Sequence, residues 1–159
     1  MLQTMGQLLQ EGSEERILLA LETALERSDE SPFWAEKVLP LSHALLSVLI
    51  PLRDQGLLFT PEGEPASVLT PELLLRWCDL VSMKHLAFTL QKSNDSRCLE
   101  RTRYDTERTA AYTPVALERF GNYLGGYGVD LANEYNDFPI AHYNLHIGIA
   151  SVLKSLLES

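Results

Sequence analysis

The stretch that decides the fold runs from Ser31 to Gly56 and reads SPFWAEKVLPLSHALLSVLIPLRDQG. Phe33, Trp34, Val38, Leu41, Leu45, Val48, Leu49 and Leu52 recur at three and four positions, the period of one face of an α-helix. Ser31 supplies a capping hydroxyl, and Pro32 has the fixed φ that suits a first helical position. Gly56 is a natural residue for the turn that follows a helix, so the spacing predicts a helix from Pro32 to Gln55. Its apolar residues cover more than half of the circumference, which makes it the central and most buried helix. Pro40 and Pro51 each delete a backbone donor, which predicts a bend or break near Pro40.

Toward the N-terminus, Gln3 to Leu9 reads as one or two helical turns broken at Gly12-Ser13. Ser13 then caps a second amphipathic helix over 14–27, with Glu14 and Glu15 in its first turn and Ile17, Leu18, Leu21, Ala24 and Leu25 on one face. Ser28 to Ser31 is a polar linker. Residues 1–30 are therefore an N-terminal helical lead and linker, and 31–159 form the main unit, the two together making one structural domain.

Toward the C-terminus, Pro61, Gly63 and Pro65 make residues 57–68 a loop, with a short extended piece at Leu57-Leu58-Phe59. Thr70-Pro71 starts a helix with Leu73, Leu74, Trp77, Leu80 and Val81 on its apolar face. A further helix is expected from about Ser82 to Gln91. Ser93 to Ser96 reads as a turn, and the dense charges from Arg97 to Thr109 as an exposed helix or loop. Thr113-Pro114 is expected to start another helix, ended by Gly125-Gly126-Tyr127-Gly128, and Pro139 to open the last. The fold class is all-α: a compact bundle of six or seven helices with little or no sheet.

The chain has 159 residues, 45% of them hydrophobic, and a net charge of −9. That length supports a real core without staples. The negative field disfavours DNA, RNA and acidic membrane surfaces and favours basic partners. Cys78 and Cys98 fit free thiols in a reducing, cytoplasmic compartment. The N-terminus lacks the pattern of a signal peptide, and Ser42, His43 and Ser47 interrupt the best candidate for a membrane span.

Candidate chemistry is sparse. His142 and His146 share a helical face, the spacing of a two-histidine metal pair, but the zinc-protease glutamate is missing and only Asp137 or Glu134 lies near as a third ligand. The plainer reading is one buried, hydrogen-bonded histidine and one exposed, with no metal. Gly125 to Gly128 follows a helix rather than a strand, and no Lys-Ser or Lys-Thr follows, so it reads as a helix end rather than a phosphate loop. Cys78 beside Trp77 reads as packing. Cys98 would need a base, and His85 is the nearest in sequence. No cofactor and no enzymatic activity are expected. The stretch from Lys92 to Arg108 holds five basic and four acidic residues. Lys92, Arg97, Arg101, Arg103 and Arg108 are the candidate partner-binding residues.

The sequence SPFWAEKVLPLSHALLSVLIPLRDQGLLFTPEGEP (31–65) resembles the type IV coupling ATPases, at the point where their nucleotide-binding core gives way to an inserted all-α domain. The resemblance rests on Phe33-Trp34, Ala35 and Leu52-Arg53-Asp54-Gln55-Gly56, continues in LTPELLLRWCDL (69–80), and returns in FGNYLGGYG (120–128) and YNLHIGIASVLKSLL (143–157). It looks closest to the TrbC/DotL-like branch, which serves IncI-type conjugation and the Dot/Icm effector system. The family's Walker A and Walker B elements are absent, so ATP hydrolysis is not carried over. The resemblance implies a substrate-recognition domain at the cytoplasmic face of the inner membrane. It would receive relaxase–DNA complexes, protein effectors or effector adaptors for a hexameric parent ATPase anchored in the membrane elsewhere. The alternatives are a stand-alone acidic helical adaptor or secretion chaperone binding partner helices in a groove, and an enzyme with a metal at His142 and His146.

Overall fold

A computed structural model describes residues 3–100, 112–129 and 140–158, with the last stretch described in its side chains from Tyr143 onward. The described residues form seven helices: α1 (Met5–Glu11), α2 (Glu14–Arg27), α3 (Pro32–Asp54), α4 (Pro71–Arg76), α5 (Leu80–Ser96), α6 (Glu118–Gly125) and α7 (Ile140–Glu158). The architecture is all-α. Among the described residues, Phe59 and Pro65 form one antiparallel β-bridge.

Local chemistry places most helix starts. Thr4 and Gln7 form a reciprocal capping box at α1. Ser13, Thr70 and Asp79 each accept a backbone N–H at the start of α2, α4 and α5. Ser31 precedes Pro32 as expected, but its hydroxyl makes no capping bond, so the start of α3 rests on the proline and on packing. The end of α3 is a Schellman turn. Gly56 N–H bonds Arg53 C=O at 2.9 Å and Leu57 N–H bonds Leu52 C=O at 2.9 Å. The turn needs a left-handed residue, and Gly56 supplies it at φ 72°.

α3 is the centre of the bundle and packs against α2, α6 and α7. Val38, Leu41, Leu45, Leu46, Val48, Leu49 and Leu52 lie in one core with Leu8 and Leu9 of α1, Ile17 and Leu21 of α2, and Leu153 of α7. The N-terminal lead is thus packed into the same core as the rest. Arg53 Nη1 also donates to Leu9 C=O at 2.9 Å, tying the end of α1 to the end of α3. By length and composition α3 could cross a membrane, but its apolar residues are largely those buried in the bundle.

Four expectations are corrected. α3 is continuous through Pro40, so of the expected bend or break the break does not occur. Pro40 is exposed, and the Glu36 carbonyl that loses its residue-40 donor lies on the helix side that carries Pro40. Phe33 does not join the core. It is 53% exposed, and stacks edge-on against the half-buried Trp34 under the Lys37 ammonium. Ser93 to Ser96 is the last turn of α5 rather than a loop, because Ser93 is buried and bonds Thr89 C=O while Arg97 ends the helix at φ 58°.

The fourth concerns Thr113-Pro114, which opens no helix; α6 starts only at Glu118. Two side-chain amides claim the backbone groups a helix would use. Gln55 accepts from Thr113 N–H at 2.7 Å and donates to Thr113 C=O at 3.0 Å. Asn94 does the same to Val115, at 2.9 and 2.8 Å, and also accepts from the Tyr112 hydroxyl at 2.6 Å. Residues 113 and 115 point their polar groups the same way only in an extended chain, and the two amides hold it so.

Candidate functional site

The break between α4 and α5 builds one polar centre. In a continuous helix Ser82 N–H would bond the Cys78 carbonyl. Here the Asp79 carboxylate takes Ser82 N–H at 3.1 Å, which releases that carbonyl. The buried His146 of α7 fills the gap, with Nε2 on Cys78 C=O and Nδ1 3.1 Å from the Tyr123 hydroxyl of α6. A carbonyl only accepts, so Nε2 carries the proton and the Nδ1 lone pair receives Tyr123. The Tyr127 hydroxyl lies 3.4 Å from that of Tyr123.

Burial lowers the His146 pKa; the Cys78 carbonyl and the Asp79 charge oppose it in part. Burial and the Tyr127 hydroxyl beside it raise Tyr123, and burial pushes the Cys78 thiol up to about 12. These groups are neutral; His146 and the tyrosines engage one another, and the Cys78 thiol donates to Leu74 C=O at 3.4 Å. They satisfy the interior, and neither ring nitrogen of His146 is open to a ligand. Among the described residues no cluster of three or more His, Cys, Asp or Glu side chains could hold a metal. The His142 side chain lies outside the described residues, as do Asp137 and Glu134. His85 sits on α5 about 16 Å of helix before its C-terminal end, so it does not reach Cys98 along that element. Gly125 to Gly128 ends α6, with Gly126 as its cap and Gly128 at φ 82° in the following turn.

A concave surface lies elsewhere among the described residues, where α2, α3 and α6 meet. It is an open groove of about 580 Å³. α2 contributes Leu18 and Glu22, α3 contributes Leu39, Pro40 and His43, and α6 contributes Arg119, Asn122 and Tyr123. Its floor is apolar and its rim polar, the anatomy of a protein-binding surface. On one wall Glu14 Oε1 lies 3.2 Å from His43 Nε2 and 3.6 Å from Arg119 Nη1, and Arg119 also touches His43. Glu22 has no ion-pair partner among the described residues.

Of the basic residues predicted to bind a partner, Lys92 and Arg97 are exposed at the C-terminal end of α5. Arg101, Arg103 and Arg108 lie outside the described residues. The flanks of that stretch are anchored on α5: Glu100 N–H bonds Ser93 Oγ at 2.9 Å, and Tyr112 bonds Asn94. Sequence reading missed the groove because Leu18 carries the same periodicity as the core residues Ile17 and Leu21, and the residues that join it come from α3 and α6. Pro40 was the available signal, since a proline inside a helix is best tolerated where solvent meets the carbonyl it frees.

The chain matches no protein-family model, no curated protein and no solved structure with which it was compared.

Proposed function

We propose that this chain is a protein-recognition module, and that the particular module is the all-α domain of a type IV coupling ATPase. It receives relaxase–DNA complexes, effectors or effector adaptors on the cytoplasmic side before transport, and it catalyses no reaction itself. The observation that carries recognition is the open groove between α2, α3 and α6, an apolar floor inside a polar rim. Two further points support it. Both ring nitrogens of the buried His146 are taken up in hydrogen bonds, to the Tyr123 hydroxyl and the Cys78 carbonyl. The order of the segments around Phe33-Trp34, Leu52 to Gly56 and Phe120 to Gly128 supports the assignment to the coupling family.

The test is direct. The full chain is immobilised and offered purified relaxase, effector and adaptor proteins, and the reading frame around the segment is inspected for Walker motifs. Specific capture together with flanking Walker motifs is expected. Capture without such motifs would favour the stand-alone adaptor. Failure to capture any of the three would remove the coupling-family reading.

A further inference from the structure

We propose that the α2–α3–α6 groove takes a basic amphipathic helix of a protein partner, a reading that deepens the recognition function and rests on it. The floor offers Leu18, Leu39, Pro40 and Tyr123, spread over three helices, which suits apolar side chains repeating at i, i+3/i+4 and i+7 along a partner helix. The charge of the surroundings selects the partner's polar flank. Residues 14–43 hold seven carboxylates against three Lys and Arg, much of the chain's net charge of −9.

Within the groove the positive Arg119 is already engaged with Glu14 and His43. Glu22 remains on the rim, and Glu26 follows it by one turn on the same exposed face of α2. The α2 side of the rim therefore presents negative charge, which a Lys or Arg satisfies and an acidic segment does not.

The probe is a fluorescent helix-forming peptide of about 18 residues with leucines at i, i+3, i+4 and i+7 and lysines flanking them. Its controls are a scrambled isomer and a twin with glutamate for lysine. Anisotropy with the full 159-residue chain should show the basic amphipathic peptide binding at least about tenfold more tightly than either control, with affinity falling as salt rises. Glu22→Lys and Leu39→Gln should each weaken it about tenfold while circular dichroism stays unchanged. Leu18→Gln serves where Leu39→Gln disturbs the fold.

Equal binding of the scrambled peptide, or indifference to both Glu22→Lys and the folded leucine variant, overturns the proposal. So does tighter binding to anionic vesicles or RNA than to the peptide. Should relaxase or adaptor capture survive the groove variants unchanged, the groove assignment falls and the recognition reading stands. Should the peptide bind as expected while no secretion substrate is captured, the groove assignment stands and the coupling-family reading falls.

Discussion

The two halves of α3 both carry an apolar stripe and have different surroundings. From Ala44 to Leu52 almost every residue is buried, closed in by neighbouring helices in one continuous core. From Phe33 to His43 the same helix carries an exposed phenylalanine, a half-buried tryptophan, an exposed proline and a groove. The difference teaches that an apolar stripe states what a helix can bury. Which part is buried depends on where its neighbours end: α2 and α6 meet α3 near His43 but leave the space between them open.

The sealed half should be the more costly to disturb. Leu49, 1% exposed, should lose about 2–5 kcal/mol of stability as Leu49→Ala, read from the denaturant midpoint. A loss below about 1 kcal/mol would mean that this region repacks as easily as the open one. Asn94→Ala should cost about 2 kcal/mol by orphaning the buried Val115 backbone groups and the Tyr112 hydroxyl. It should also raise hydrogen exchange at Thr113 and Val115, which a purely packing effect would leave protected.

Trp34 marks the boundary. Its ring lies so close to Gly148 of α7 that a Cβ there would sit 2.4 Å from the indole. Trp34→Ala should cost about 1–2 kcal/mol, less than a fully buried aromatic. Gly148→Ala should push the ring outward and shift tryptophan emission to the red. An unshifted spectrum would show that Trp34 already stands in solvent.

His146 tests the polar seal. Its folded pKa is depressed by burial, so its neutral form contributes stability that is complete above the ordinary value of about 6.5. That contribution declines as pH falls below this toward the lowered folded value. The denaturant midpoint should drop between about pH 7 and pH 5, and His146→Gln should flatten that part of the profile. On the open half, Phe33→Ser should change stability by less than about 0.5 kcal/mol. A larger loss would place Phe33 in a contact that seals the groove's end.

The sequence by itself determined the fold class and the frame. Pro32 and Pro71 at helix starts, Ser13 as a cap, Gly56 past a helix end and the 3.6-residue stripe of α3 act within a turn or two of chain. Each has the same consequence in nearly any tertiary setting. The tertiary structure decided what depends on distant partners. Thr113-Pro114 has the local signature of a helix start, yet Gln55, 58 residues away, and Asn94, 21 residues from Val115, hold the segment extended. A buried, hydrogen-bonded histidine is the plainer reading of the His142 and His146 pair, but that His146 is buried and bonds the Cys78 carbonyl, 68 residues away, belongs to the fold. Phe33 reads as core because periodicity records hydrophobicity, whereas burial requires a second surface to cover it. Where α2 and α6 stop short of one another, no such surface is present, and the apolar residues left there line the groove.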